Sequence, residues 1–237
     1  RAGTTTEELL QASYGIDHIY GHRVADRAVD FLQSVADQPF VLVVSFDEPH
    51  DPFLVQPEWL DKFKVGDIPG RPNYNASLEG KPRIQQLHAR DIVRAHGNLT
   101  WEGLMAKRLR YFACNSFIDR EIGRIIDTID RLHGDDTTIF YTADHGDQHG
   151  SHGLHDKGAF MYEESTNIPF IVRMPGGASG AVSRSVVSHL DILPTMLDLA
   201  RVAPPRSMPG VSLAPVLRNP TVRVREHAFV SFDRFQV

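Results

Sequence analysis

Two kinds of hydrophobic pattern alternate along the chain. Apolar residues recur at helical spacing over residues 22–36, 101–132 and 188–200, which predicts three helices. Short, continuous apolar runs have the pattern of strands that are buried on both faces, and they lie at residues 40–46, 137–143 and 168–177. Because helices alternate with buried strands, the sequence predicts an α/β fold with a mainly parallel central sheet flanked by helices.

Two stretches depart from this alternation. Residues 62–98 are rich in Gly and Pro and carry seven Lys or Arg residues against three acidic residues, which predicts an irregular, basic insertion over the scaffold. After residue 204 the pattern changes to a loop, a short helix and a last apolar strand. We therefore expect a main α/β domain over residues 1–204 and the start of a small C-terminal subdomain over residues 205–237.

The composition excludes several classes of protein. A net charge of -5 argues against a protein that binds nucleic acid by neutralising phosphates. No apolar run approaches the ~18 residues that a membrane helix needs, so no membrane partner is expected. The single cysteine, Cys114, excludes an intrachain disulfide, and its apolar neighbours predict a buried structural thiol. The cytoplasm and the periplasm of a bacterium are both compatible with this composition.

Chemically reactive residues follow two of the predicted strands. The run at 40–46 leads into the turn Asp47–His50, and the run at 137–143 leads into Asp144–His145. In parallel α/β sheets, ligands bind beyond the carboxyl ends of the strands. The two turns are therefore predicted to face one crevice.

Asp144 and His145 are the candidate metal ligands. A carboxylate and an imidazole at a strand end can bind one divalent ion, provided that the chain turns there. Gly146 follows directly and is expected to supply the backbone freedom for that turn. The alternative is a polar turn in which the Asp144 side chain bonds its own backbone.

The glycine-rich segment after His145 holds three more histidines, at positions 149, 152 and 155. Its glycines argue against a continuous helix and no cysteine lies nearby, so a structural zinc cluster is disfavoured. We assign these histidines to loop or supporting roles, with His152 the nearest to the site. Lys157 in the same segment is a candidate anion anchor, and its alternative is a solvated surface lysine.

His50 is the candidate proton donor. It lies in a turn between Pro49 and Pro52, which restrict the backbone around it. A rigid turn that holds a titratable imidazole suits general acid catalysis. A histidine that only caps the loop by hydrogen bonds is the alternative.

Four sequence blocks occur in a characteristic order. They are "PFVLVVSFDEPHDPF", "YFACNSFIDREIGRIID", "DDTTIFYTADHGDQHGSHGLHDKGAFMYEESTNIPFIVRMPG" and "VSHLDILPTMLDLA". Together they closely resemble the sulfatase family of the alkaline phosphatase superfamily, from about Tyr20 to Leu217. The most specific block is Asp-His-Gly, then His-Gly-Leu and a lysine before Tyr-Glu-Glu, with Lys157 twelve positions after His145.

The resemblance implies an alkaline phosphatase-like fold and a role for each candidate residue. Asp144 and His145 match ligands of one divalent metal, for which calcium is preferred and manganese is the alternative. Lys157 matches the lysine that contacts the oxygens of the sulfate ester. His50 matches the histidine near the scissile oxygen, so both side chains are expected to bind substrate and take part in catalysis. In the family, a hydrated formylglycine attacks sulfur and an alcohol leaves.

One family element has no counterpart in the sequence. Neither Cys-x-Pro-x-Arg nor Ser-x-Pro-x-Arg occurs, and Cys114 is followed by "NSFID", so it does not match the formylglycine position. The resemblance therefore implies that the chain is the later part of a longer enzyme. The formylglycine would lie before residue 1, and the N-terminal half of the same protein would be the partner of this chain. We expect these 237 residues alone to be inactive on aryl sulfates.

Two other functions stay open at the level of sequence. A phosphonate monoester hydrolase or phosphodiesterase of the same superfamily would use much the same residues. A non-catalytic binding module would need neither metal nor nucleophile, although the full set of Asp144, His145, Lys157 and His50 argues against it. For a sulfatase, the expected substrate is a sulfate ester of a small molecule or a saccharide.

Overall fold

A computed structural model describes residues 19–74, 76–96 and 100–232 of the chain. The chain divides into two compact units, and each unit is built from two separate segments. The first unit is Arg1–Gly134 with Asp147–Lys157, and the second is Asp135–Gly146 with Gly158–Val237. The predicted boundary after residue 204 stays a prediction. Across the described ranges, we find no helix that is both long and apolar enough to span a membrane.

The first unit is helical. Its longest element, α4, begins where the Thr100 side chain accepts a hydrogen bond from the Gly103 N–H at 3.1 Å, and it ends before Gly134, which has a φ of 55°. The described elements of this unit, in chain order, are α1 (Tyr20–Ser34), α2 (Pro57–Leu60), a 3-10 turn (Val65–Asp67), α3 (Arg83–His96) and α4 (Trp101–His133).

The core of the first unit lies along α4. Both α1 and α2 pack against this helix. The Trp59 ring meets the Phe117 ring edge to face, with the centroids 5.8 Å apart. The buried residues of this core cluster are Ile19, Trp59, Ala113, Phe117 and Ile118. Burial of these side chains fixes where α1 and α2 lie on α4.

A buried carboxylate also joins α1 to α4. Glu121 is fully buried and accepts hydrogen bonds from Arg120 Nε at 3.0 Å and Arg124 Nη1 at 2.5 Å, and its Oε2 lies 3.0 Å from His22 Nδ1. Arg124 also donates to Asp26 on α1. Burial by itself would raise the pKa of Glu121, but the hydrogen bonds from Arg120, Arg124 and His22 hold that pKa below its ordinary value. We call Glu121, its partners Arg120, Arg124 and His22, and Asp26 the Glu121 cluster.

The second unit contains the strands. β1 and β2 pair antiparallel, with Ile139 opposite Arg173 and Thr142 opposite Phe170. The described elements of this unit, in chain order, are β1 (Ile139–Thr142), α5 (Glu163–Thr166), β2 (Phe170–Arg173), a 3-10 turn (His189–Asp191), α6 (Ile192–Leu199) and α7 (Ala214–Arg218).

A second buried carboxylate organises the C-terminal part of this unit. Asp191 is fully buried, binds both Nη atoms of Arg225 and accepts the N–H groups of Ser188 and Val211. Burial alone would raise the pKa of Asp191, but these donors hold it below its usual value. The segment is closely packed, since a Cβ on Gly210 would lie 1.8 Å from the Leu190 carbonyl oxygen.

The structure differs from the predicted elements in four places. Residues 40–46 form no strand and pair with none in the described ranges, and the final segment 226–232 has no regular structure. The described strand pair is antiparallel. The sequence could not predict this direction, because an apolar run shows which faces of a strand are buried and not the direction of its neighbour. The predicted irregular insertion contains helix α3, although the Gly and Pro residues along this segment are typical loop signals.

Candidate functional site

The turn that carries His50 is held by its backbone. The His50 N–H donates to the Asp47 carbonyl at 2.9 Å, and the Phe53 N–H donates to the His50 carbonyl at 3.1 Å. Phe53 is buried and meets the ring of Tyr111 on α4 edge to face, with the centroids 5.7 Å apart. One side of the turn is therefore anchored in the core of the first unit.

The other side of the turn is tied to the start of α1. The Gly21 N–H donates to Glu48 Oε1 at 3.0 Å. A Cβ on Gly21 would lie 2.9 Å from Glu48 Oε2 and 2.7 Å from Ile118 Cδ1, so a larger residue here would require both side chains to shift. The half-exposed His50 ring thus projects from a turn whose backbone is fixed on both sides.

His50 and Lys157 are brought together. Lys157 Nζ donates a hydrogen bond to His50 Nε2 at 2.6 Å, although the two residues are 107 positions apart in the sequence. The other ring nitrogen, Nδ1, lies 2.8 Å from the Asp51 carbonyl oxygen and 3.1 Å from Asp51 Oδ1. Because those oxygens only accept, Nδ1 carries the proton of the neutral ring and Nε2 is left as the acceptor.

Asp144 and His145 also lie side by side, just after β1. The Asp144 carboxylate accepts the His145 N–H at 2.8 Å through Oδ1, while its Oδ2 lies 3.3 Å from His145 Nε2. His145 Nδ1 donates to the Gly146 carbonyl at 3.0 Å, so Nε2 of the neutral ring has a free lone pair. Two exposed acceptor atoms therefore face each other, and the Asp144 carboxylate is 83% exposed.

This arrangement fits two ligands of one divalent ion. Two donor atoms that sit about 2.3 Å from one ion, at roughly a right angle to each other, would be about 3.3 Å apart, as these two are. Among the residues that the structure describes, no group of three or more His, Cys, Asp or Glu side chains is placed to hold a metal. The pair supplies two ligands, and its role in binding metal stays a prediction.

Gly146 positions this pair for a reason other than the one expected. Its φ is not positive, so the turn does not use the conformational freedom of glycine. Instead, its N–H donates to the Ser165 carbonyl at 2.9 Å, and a Cβ here would lie 1.9 Å from the Glu164 carbonyl oxygen. The close approach of α5 therefore requires glycine next to His145.

The remaining histidines of the glycine-rich segment lie in the first unit with Lys157. Asn73 Nδ2 and His152 Nε2 are 3.1 Å apart, and His88 Nε2 donates to the His155 carbonyl at 2.9 Å. His149 is buried, with its ring 4.2 Å from that of Tyr111. Burial lowers the pKa of His149 to about 4, so the ring is neutral near pH 7. No local sequence signal marks this histidine as the buried one.

The His50–Lys157 pair lies in the first unit and the Asp144–His145 pair lies in the second. Cys114 is fully buried and its Sγ donates to the Leu54 carbonyl at 3.6 Å, which confirms the structural thiol. Burial raises the pKa of Cys114 to about 12, so its thiolate is not formed near neutral pH.

Known proteins resemble the chain along most of its length. The sequence profile of the Sulfatase family matches residues 3–202. An uncharacterized sulfatase, YidJ, of Escherichia coli K12 is 38% identical over 241 residues, which cover all of this chain and 46% of that protein. An arylsulfatase of Clostridium perfringens is 31% identical over 220 residues, covering 88% of this chain and 44% of its own length. The chain spans about half the length of these relatives.

Solved structures share the fold. The phosphonate monoester hydrolase of Agrobacterium radiobacter superposes with a TM-score of 0.72 at 27% identity, covering 84% of this chain and 43% of that one. A protein in complex with its substrate D-glucosamine-2-N,6-O-disulfate gives a TM-score of 0.68 at 25% identity, covering 86% and 53%. The chain therefore has the alkaline phosphatase-like α/β fold. Since the family profile covers most of the sequence, the chain belongs to the sulfatase family.

Proposed function

We propose that the protein carrying this chain hydrolyses sulfate monoesters. The observation that supports this most directly is the contact between Lys157 Nζ and His50 Nε2, at 2.6 Å. It sets a fixed positive charge beside a titratable imidazole. Sulfate ester cleavage needs a cation on the sulfuryl oxygens and a proton for the leaving oxygen. The membership in the sulfatase family adds weight to this assignment.

Lys157 would change its partner when substrate binds. Without substrate its ammonium donates to His50 Nε2. A sulfuryl oxygen carries negative charge and accepts a stronger, charge-assisted hydrogen bond than a neutral imidazole does. Lys157 therefore turns to the ester, and His50 Nε2 becomes free to hold a proton.

His50 would protonate the leaving oxygen. Its Nδ1 side already faces the Asp51 carbonyl and carboxylate, at 2.8 and 3.1 Å, and both stabilise a protonated ring. The proton on Nε2 passes to the oxygen of the departing alcohol as the sulfur–oxygen bond breaks. The alcohol then leaves neutral and no bare alkoxide has to form.

Asp144 and His145 would hold the divalent metal. When bound, the ion supplies Lewis-acid stabilisation of charge on the sulfuryl oxygens. An aspartate oxygen suits calcium, and an imidazole suits manganese as well, so we propose calcium with manganese as the alternative. We further propose that the nucleophile is a formylglycine outside these 237 residues, since no matching motif occurs within them.

The substrate would be a sulfate ester of a small molecule or a saccharide. A similar sequence is named an arylsulfatase, and a similar structure holds D-glucosamine-2-N,6-O-disulfate as its substrate. Aryl sulfates and this disulfate are esters or amides of sulfuric acid that carry an organic group. The Lys157–His50 pair would contact only the sulfate group. The organic body therefore remains to be identified by experiment.

The full-length protein is the right material for the test. We expect turnover of 4-nitrophenyl sulfate, loss of metal and activity after chelation, and recovery with calcium or manganese. Lys157→Ala should lower kcat by about 100-fold or more. Lys81→Ala, an exposed lysine of the same unit, serves as the matched control and should leave kcat unchanged.

Substrates with different leaving groups test whether His50 donates a proton or only binds the substrate. His50→Ala should lower kcat by about 100-fold or more on a sugar sulfate, whose alcohol needs a proton, and by much less on 4-nitrophenyl sulfate. Equal losses on both substrates would contradict proton donation. Absence of turnover in the full-length, metal-loaded protein would favour the non-catalytic binding module.

A phosphonate monoester hydrolase is the second candidate. The structural likeness to such an enzyme, with a TM-score of 0.72, favours it specifically. The residues proposed above would neutralise a phosphoryl group as well as a sulfuryl group. The ratio of kcat/KM for a sulfate monoester to that for a phosphonate monoester decides between the two, and we expect the sulfate to be preferred.

A further inference from the structure

The first unit contains a cavity that none of the four predicted site residues lines. It has a volume of about 350 Å³, within the range of small-ligand pockets. The loop before Tyr74, helix α4 and the glycine-rich segment form its walls, which include Pro69, Arg71, Pro72, Arg108, Phe112 and His149. Apolar walls and two arginines thus meet in one pocket.

The buried polar groups of this pocket lack partners. Arg108 is 4% exposed, and its Nη1 has no hydrogen-bond partner in the described structure. His149 is also 4% exposed, and neither of its ring nitrogens has one. A buried guanidinium without a counter-charge is costly, because it loses its hydration and gains nothing in return.

The charges around the pocket are mainly positive. Arg71 lies close enough that its charge, after the effect of burial, lowers the pKa of Arg108. Lys107 is nearby but is paired with Asp156 at 3.1 Å. The acid next to the pocket is Asp147, whose Oδ1 accepts the His149 N–H and lies 3.7 Å from His149 Nε2. Asp147 does not line the cavity. Arg71 and Arg108 both do, and no described acidic residue lines it with them.

We infer that this cavity is a binding site for an oxyanion group, a sulfate, phosphate or carboxylate, held by Arg71 and Arg108. A guanidinium presents two N–H groups in a plane that matches two oxygens of such a group. The neutral His149 ring can donate a further hydrogen bond. Pro69, Pro72 and Phe112 provide an apolar wall against which a small organic body attached to the anion can pack.

The first test locates the anion. Crystals of the full-length protein are soaked in selenate, and anomalous scattering is measured. We expect a selenium peak between the guanidinium groups of Arg71 and Arg108, and its loss in the Arg71→Gln variant. Arg71 is exposed, so this substitution should not disturb folding. Water alone in the pocket, or an acidic side chain of the same protein between the arginines, would overturn the inference.

The second test measures affinity in solution by titrating sulfate at constant ionic strength. Lys157 is itself an expected oxyanion contact, so the titrations use the Lys157→Met background. Arg71→Gln should weaken sulfate binding about tenfold or more, the loss expected for one charge-assisted hydrogen-bonded contact. Arg90→Gln, an exposed arginine of α3 outside the cavity, is the matched control. Equal affinities in the two variants would reduce a selenate peak to an adventitious ion only and would contradict the site.

A third test identifies the source of the anion, independently of whether the site exists. If the anion is a second acidic group of the substrate, which rests on the proposed sulfatase activity, Arg71→Gln raises KM for glucosamine-2-N,6-O-disulfate and not for glucosamine 6-sulfate. If it is a free ion, both KM values stay unchanged. Both outcomes leave the site established, and neither is needed for the crystal and titration results, so failure of the proposed activity would be recognised separately.

Discussion

Helix α4 carries two clusters of buried charge that are organised in opposite ways. At Glu121 the buried carboxylate is surrounded by Arg120, Arg124 and His22, and all of its oxygens are in contact with them. Thirteen residues earlier on the helix, Arg108 is also buried but has an unpaired Nη1, and it lines a cavity with Arg71. The difference indicates that the Glu121 cluster joins helices, whereas the Arg108 pocket is prepared for a ligand.

Removing the charge of Glu121 should have the largest effect on stability. Glu121→Gln leaves three basic side chains without their buried counter-charge, and we expect the free energy of unfolding to fall by about 3 kcal/mol. Urea unfolding of the full-length protein measures this. Asp119→Asn, an exposed change on the same helix, should stay within about 0.5 kcal/mol. A loss no larger than that of the control would show that the cluster does not hold α1 on α4.

Mild acid should lower the free energy of unfolding through His149 in the pocket and not through the Glu121 cluster. The folded-state pKa of His149 is about 4, below its unfolded value of 6.5, so the unfolded chain binds the extra proton between these values. Stability is therefore lost as the pH falls from 7 to 5, by about 2 kcal/mol for this one group. Glu121 has a lowered pKa, so its contribution is lost only below about pH 4.5.

The variant His149→Asn isolates this effect. Asparagine tolerates the positive φ of 45° at this position and does not titrate. The difference in unfolding free energy between pH 7 and pH 5 should shrink by about 2 kcal/mol in the variant. The pKa of His155 is also lowered by burial, and its unchanged contribution remains in both proteins. An identical pH dependence in both would show that His149 is not buried in neutral form.

Removing the charge of Arg108 should have the smallest effect, with the opposite sign to that at Glu121. In buffer without sulfate or phosphate, Arg108→Met replaces an unpaired buried cation with an apolar chain of similar length. We expect the free energy of unfolding to rise by about 1 kcal/mol. Arg108→Lys keeps the charge and should not be stabilised. A fall in the free energy of unfolding comparable to that of Glu121→Gln would mean that Arg108 stabilises the fold and does not serve as a ligand contact.

Patterns of local sequence predicted the helices well. The apolar spacing over 101–132 matches α4, Trp101–His133, and the spacing over 22–36 matches α1, Tyr20–Ser34. These helices bury one face along their whole length, so the 3.6-residue period is visible in the sequence. Helix α3 is also amphipathic, but the Gly and Pro residues along 62–98 favour loops and outweigh its period in the sequence.

The strands show where such patterns stop. The runs at 137–143 and 168–177 contain β1 and β2, but their antiparallel register depends on a neighbour that the run itself does not specify. The run at 40–46 forms no strand, and Val41 and Val43 are 71% and 82% exposed. A strand requires hydrogen bonds from a neighbouring strand, and no described segment supplies them here.

The sequence by itself determined the family, and it named the side chains of both candidate pairs. It did so because their chemistry depends on residue type and on short spacings that are written along the chain. Only the tertiary structure decided that His50 and Lys157 touch across 107 positions, and that Gly146 is needed for the close approach of α5. Only the tertiary structure left Arg108 Nη1 and both ring nitrogens of His149 buried without hydrogen-bond partners among the described residues. Burial and the absence of a counter-charge arise from packing between segments distant in sequence, which no local pattern records.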